Sequence, residues 1–446
     1  MASTYLSRTP ASTGNQKTWT LSSWVKNSYG GMFFCVDSYG ASKSLQSEFY
    51  QGSDYFAIAQ YASGASAWGL TTNRLFRDRS AWYHLVISVD TTQATSSDRV
   101  KIYINGVQET SFSTETYPSL NYDTGVNTAI QHMIGNRPSA STYFDGLMAH
   151  FHFIDGTAYD ASAFGEYSAT SGVWKPKTAP SVTYGTNGFF LKFANSAALG
   201  TDSSVNGNDL TVSGSGTQTL DNPSNVYCVN NVLSLSASGV TNANGNLSVT
   251  DNASNAWRDL FGTLGVSVGK WYWEQKIDNF TTGIDPHRIG ICDAEYFNNS
   301  ATDSNFEDAG ISRAYGYCKT GSKINASSIT SYGDSWTTGD IVGIAMDLDN
   351  GKIYFSKNGT WQNSGDPTSG ATGTGSAFNV TTNYTYLPLT STYYTDNRYS
   401  YNFGNGYFGT TAVSTPESDG AGLGKFEYAV PTGYYSLSTK NIITYG

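Results

Sequence analysis

Charge is scarce in this chain. Of 446 residues only 13% are Asp, Glu, Lys or Arg, about half the roughly 25% of an average globular protein. The balance is acidic, with a net charge of −10, and the longest basic grouping is Lys175-Pro176-Lys177. A phosphate-gripping surface needs clustered Lys and Arg, so nucleic acid is excluded as an expected partner. Long apolar runs are missing too: no window approaches the ~20 apolar residues of a membrane span, and no membrane contact is expected. The opening Met-Ala-Ser-Thr-Tyr lacks the basic and apolar regions of an export signal. Synthesis in a cytoplasm and release by another route, such as lysis, is therefore expected. Cysteine is rare: Cys35, Cys228, Cys292 and Cys318 lie far apart without a Cys-x-x-Cys pair. That argues against zinc and for buried free thiols, while a Cys292–Cys318 bridge would require facing strands.

Abundant instead are Gly (47), Tyr (32) and the uncharged polar residues, the composition of an all-β protein with short strands and many turns. Helical periodicity is nearly absent, and short alternating runs recur between turn signals. Trp19–Val25 alternates, Trp82–Asp90 makes a longer strand, and Val100–Ile104 runs into Asn105-Gly106. Asn-Gly is the strongest short hairpin signal, since both residues tolerate φ > 0. Asn350-Gly351 and Asn358-Gly359 bracket a second such strand, Lys352–Lys357. The length suggests two or three domains. The segment 157–186, with Pro176, Pro180 and little alternation, reads as a linker with one short helix around Ala161–Tyr167. It separates a domain over 1–156 from one over 187–446. The Gly365–Gly375 stretch reads as an exposed, mobile loop.

Several runs carry a resemblance. Trp19-Thr20-Leu21-Ser22-Ser23-Trp24-Val25, Trp82–Val86 with Asp90, Val100–Gly106, Ile134-Gly135-Asn136 and Phe144–Ala149 resemble the laminin-G-like, concanavalin-type jelly rolls. Gly269-Lys270-Trp271-Tyr272-Trp273-Glu274, Arg288–Ile291, Tyr315-Gly316-Tyr317, Gly339–Asp347 and Lys352–Trp361 resemble a SPRY domain. The implied fold is all-β: tandem antiparallel jelly-roll β-sandwiches, both concanavalin-like. Between the two, Tyr184–Leu191 and Asp202–Leu210, with the Trp-Lys-Pro-Lys run and Val430–Tyr434 near the end, complete an order similar to structural proteins of tailed bacteriophages. That resemblance implies a virion protein, homo-oligomeric and by analogy trimeric, whose partners are other virion proteins or a host-surface glycan. A tail fibre or receptor-contacting component is the first expectation. A capsid decoration or head-fibre protein is the alternative, kept close by the absence of a fibrous shaft.

Catalysis finds little material. Retaining glycosidases hold two carboxylates about 5–5.5 Å apart, and no Glu-x-Asp-x-x-Glu run exists. Glu274 and Asp278 share a strand face but flank Lys276. Five histidines are a small supply for nucleophilic catalysis of the Ser-His kind. His150 and His152, at i and i+2, could form half a metal site with no third ligand evident. Asp347–Gly351 begins like a calcium loop, yet Asn358 stands where a bidentate acid is needed. No cofactor is expected; calcium at a jelly-roll rim, from Asp37, Asp145 or Asp155, is the one exception left open. Binding chemistry is better served, because aromatic faces stack on sugar rings and short polar side chains take hydroxyls. The polar–aromatic stretch Tyr393, Tyr394, Asp396, Asn397 and Tyr399 is the candidate site, with Tyr50–Tyr61 a second.

Overall fold

A computed structural model describes residues 3–37, 41–138, 141–234, 239–252, 256–280, 287–297, 306–308 and 310–446. The chain divides into two compact units, Met1–Gln218 and Thr219–Gly446, each a β-sandwich.

The first unit is organised by one 19-residue strand, Thr18–Val36. Its first half lies between Tyr83–Asp90 and Asp145–Asp155, and its second half between Ser44–Phe49 and His132–Ile134. The turn from one sheet into the other falls at Gly30 and Gly31, whose φ values are +108° and +116°. A side chain at Gly31 would run into the Tyr143 carbonyl, so only glycine lets the strand cross here. Alternation supplies the core between the sheets: Trp19, Leu21, Phe33, Leu45, Phe56, Trp68, Leu85, Ile87, Ile102, Phe151 and Phe153 all face it.

Residues 157–186 do not form a linker. Ala161, Phe164, Trp174, Val182 and Tyr184 pack on Val86 and Ile154, covering the outer face of the strand pair. The expected helix is one 3-10 turn, Ala161–Ala163, after which Gly165–Tyr167 pairs with Trp174–Pro176. Asp160 caps the start of that turn, its carboxylate accepting the Ser162 amide. The chain returns to the first sandwich through Phe189–Leu191 and Thr211–Ser213, which moves the division between units to Gln218/Thr219. The irregular spacing of the aromatic anchors, not a lack of burial, made the segment look loose.

Trp174 seats on the Asn105-Gly106 turn, where a Cβ on Gly106 would lie 2.7 Å from the indole ring. Gly106 has φ +84°, and Gly52 has φ +72° with nothing within 4 Å. Gly106→Ala should therefore destabilise the first unit by about 2–4 kcal/mol, conformational strain plus overpacking, and Gly52→Ala by only about 1 kcal/mol. Equal losses in thermal unfolding would mean that Trp174 does not pack there.

In the second unit, Lys270–Asn279 sits between Ile341–Asp347 and Arg398–Asn402 in a nine-stranded sheet. Tyr386–Thr392 sits between Arg258–Phe261 and Arg288–Asp293 in a six-stranded one. Trp271, Trp273, Ile277, Ile289, Ile291, Ile344, Phe355, Tyr399 and Tyr401 meet between them. The alternate residues of the same strands feed outer layers: Tyr272, Ala345 and Tyr354 hold Phe426 and Tyr434, and Cys292 and Leu389 hold Phe306 and Ile311. The Gly365–Gly375 stretch is built from 3-10 turns rather than open loop. Asp366 accepts the Thr368 amide, Pro367 is buried, and the Tyr434 hydroxyl donates to the Pro367 carbonyl at 3.0 Å. All four cysteines are buried thiols outside any disulfide.

Candidate functional site

Residues Tyr393–Asn397 connect Tyr386–Thr392 in one sheet to Arg398–Asn402 in the other. That connection divides the five candidate residues. Asn397 is fully buried: its side-chain amide donates to Thr392 Oγ1 (3.2 Å) and its carbonyl takes the Asp251 amide (2.9 Å). Tyr399 alternates inward with Tyr401, its hydroxyl 2.9 Å from His287 Nδ1, and burial drives its pKa upward. Both are structural residues and reach no ligand. Tyr393, Tyr394 and Asp396 remain at the surface. Asp396, at φ +67°, turns the chain and pairs with Arg398 (2.5 Å).

Register adds two residues that the sequence reading missed. Arg258 pairs with Thr392 and Arg288 with Ser391. Because Ile289 and Ile291 face the core, Arg288 faces out. Trp257, one residue before its strand begins, stands beside Tyr393. The Trp257 and Tyr393 rings meet edge to face at 5.2 Å, and Tyr393 meets Tyr394 the same way at 5.1 Å. The Arg288 guanidinium lies 4.7 Å over the Trp257 ring, and its Nη2 donates to the Glu307 carboxylate. Arg288 is only 4% exposed, and its Nε and Nη1 are buried without an acceptor, as is Arg258 Nε. Across the same strands Ser391 donates to Asp259. The pairing of a cation with aromatic faces is the signal that could have been sought, but only register reveals it, since 31 residues separate Trp257 from Arg288.

The second stretch, Tyr50–Tyr61, forms a flatter surface on the first unit. Phe56 and Ile58 point inward while Ala57 and Ala59 make a small-residue floor on the other face. Tyr50 and Tyr55 stack at 4.6 Å at one end. Gln46, opposite Ala59, accepts from Arg137 at 3.1 Å.

The residues weighed for catalysis or metal are engaged elsewhere. Glu274 is fully buried, its carboxylate accepting the Glu427 and Tyr428 amides (both 2.9 Å), the Tyr272 hydroxyl (3.1 Å) and the Asn402 amide (3.2 Å). Asp278 accepts from Ser400 at 2.5 Å. His150 sits at φ +49° beside an irregularity in strand pairing, and His152 stacks on Phe190 at 3.9 Å with its Nδ1 2.8 Å from the Tyr184 hydroxyl. Asp155 accepts the Asn15 and Asn187 amides. Among the described residues no three His, Cys, Asp or Glu side chains are grouped to hold a metal ion, so Asp37, Asp145 and Asp155 are not gathered into one site. Asp347 accepts from Asn350 and pairs with Lys270 at 3.0 Å, closing a hairpin.

Comparison with known proteins matches these units. Residues 2–161 match the concanavalin A-like lectin/glucanases superfamily, and residues 270–405 match the SPRY domain. The chain thus carries a laminin-G-like domain followed by a SPRY domain. It is 31% identical over 104 residues to the ATP-dependent RNA helicase DDX1 of Xenopus laevis, a stretch covering 23% of this chain and 12% of that protein. The chain thus spans a small fraction of that relative's length. Among solved structures it is similar to the SPRY domain of human HERC1, at 18% identity over 35% of this chain and 87% of that one, TM-score 0.28. A second human SPRY domain matches at 14% identity over 35% and 90%, TM-score 0.25.

Proposed function

We propose that this chain is a non-catalytic binding protein of a phage virion surface, a tail fibre or receptor-contacting component whose sandwiches present loops to host glycan or protein. The observation that supports it is the aromatic surface of Trp257, Tyr393 and Tyr394, brought together from separate strands on the outside of a rigid sandwich. Binding residues on loops held by a rigid scaffold are a recurrent arrangement. The Glu274, Asp278 and Asp155 carboxylates are committed to internal hydrogen bonds, which favours recognition rather than chemistry as the use of the surface. The virion assignment rests on the order of the two domains and the connecting motifs.

Purified protein, added to host cells before infection, should block adsorption, and antibody-gold should label the tail of intact virions. Tyr393→Ala should weaken that competition about tenfold, the loss of one stacked ring, while shifting stability by less than about 1 kcal/mol. Gold over the head with no competition would overturn the reading in favour of capsid decoration, with the same surface holding other virion subunits.

A further inference from the structure

Arg288 is the least satisfied cation in the described part of the second unit. A guanidinium carries five N–H donors. Glu307 engages only Nη2, and Nε and Nη1 end in the protein without an acceptor although the side chain is 4% exposed. Buried donors normally find partners. Trp257 fixes the plane of the guanidinium from one side, so the fork is held in one orientation before any ligand arrives. Tyr393 stands edge to face against the same Trp257 ring and perpendicular to Tyr394.

We propose that the cluster of Arg288, Trp257, Tyr393 and Tyr394 is a subsite for a carboxylated sugar, its carboxylate received by Arg288 and its ring stacked on the tyrosines. This rests on the binding function proposed above and specifies the ligand chemistry. The planar fork fits a carboxylate side by side. A phosphate or sulfate dianion fits less well, because Glu307 and Asp259 already place negative charge around the guanidinium. The flat aromatic edge and the uncharged Thr395 at the surface favour a pyranose over an extended acidic peptide, which would need a longer track of cations than this surface offers.

The test is titration calorimetry of the full chain with a panel of uronic-acid and nonulosonic-acid oligosaccharides, each beside the same compound with its carboxyl reduced to an alcohol. Binding of at least one acid is expected, with about 10–100-fold weaker binding of its reduced partner, the worth of a charge-assisted hydrogen bond. Arg288→Lys, which keeps the charge but not the fork, should weaken the acid by at least tenfold. Tyr393→Ala, a change at a half-buried surface ring outside the cores, should leave folding intact and weaken acid and alcohol alike. Equal affinity for acid and alcohol would overturn the carboxylate subsite. Silence across the panel while the protein still competes with phage would overturn it too and leave the receptor reading standing. Arg288-dependent binding of an aspartate-rich peptide with no sugar bound would replace it with a protein ligand. Silence across the panel together with no competition would sink both.

Discussion

Lowering the pH from 7 to 4.5 should unfold the first sandwich while the second stays folded. Four of the five histidines lie in the first unit, and each is held neutral by its surroundings. The Trp174 indole donates to His84 Nδ1 at 3.0 Å, and the Asn127 amide donates to His132 Nε2 at 3.1 Å. A proton on either nitrogen would meet a donor instead of an acceptor. Burial adds its penalty, pushing His84 down to about 3 and His132 to about 4 from 6.5, with His152 well below 6.5 and His150 lowered as well. The sign follows from proton counting. Above 6.5 neither folded nor unfolded chain binds these protons. Below it the unfolded chain takes them up and the folded one does not, so stability is lost as pH falls. Each fully buried histidine removes about 2 kcal/mol by pH 5. His84, His132 and His152 together remove about 6 kcal/mol, comparable with the whole stability of an ordinary domain, about 5–15 kcal/mol. Hydrogen exchange read by mass spectrometry at pH 7, 5.5 and 4.5 follows the two units separately. Protection lost first in the second unit, or equally in both, would contradict the arrangement.

The second unit has a buried acid working in the opposite direction. Burial raises Glu274 to about 7 from 4.5, against four donors that pull it down. A raised carboxyl stabilises most below its unfolded value and loses that contribution as pH rises through 7. Acidification therefore relieves Glu274 while it penalises His287, lowered to about 3, and the second unit stays nearly level between pH 4.5 and 6.5. Glu274→Ala should cost the second unit about 3–5 kcal/mol, because the Glu427 and Tyr428 amides, Tyr272 and Asn402 lose their common acceptor. The loss should appear as early exchange of residues 425–437, which this carboxylate and the Tyr272–Phe426 contact fasten to the sheet. Denaturant unfolding supplies the magnitude. A loss under 1 kcal/mol would mean that the C-terminal segment is held by something else. Glu274→Gln should remove the gain and leave the second unit losing stability as pH falls, through His287.

Sequence pattern made some of this readable. Lys352–Lys357 is one strand between two tight turns, as its bracketing Asn-Gly dipeptides indicated, and positive φ occurs at both residues of Asn105-Gly106 and Asn358-Gly359 and at Gly351. The same period-2 rule, applied one strand further, places Tyr399 with Tyr401 and Phe403 in the core. It was the local richness in tyrosine that made Tyr399 and Asn397 look like ligand residues. Trp257 and Arg288 were out of reach, because what unites them is the pairing of each strand with Tyr386–Thr392, and register across a sheet is not written in either segment alone. The covering layer over 157–186 was hidden for a related reason: a layer anchored by Phe164, Trp174 and Tyr184 at uneven intervals has no period to detect.

The strand Thr18–Val36 is hydrogen-bonded in both sheets of the first sandwich, and this shapes how that sandwich comes apart. Sheets joined only by loops can separate like two leaves, each keeping its own ladder. Here either leaf takes half of the shared strand with it, so partial opening strands hydrogen bonds and apolar side chains on both sides at once. The first protons forced onto buried imidazoles therefore do not loosen one face; they are resisted by the whole sandwich until it gives way as a single unit.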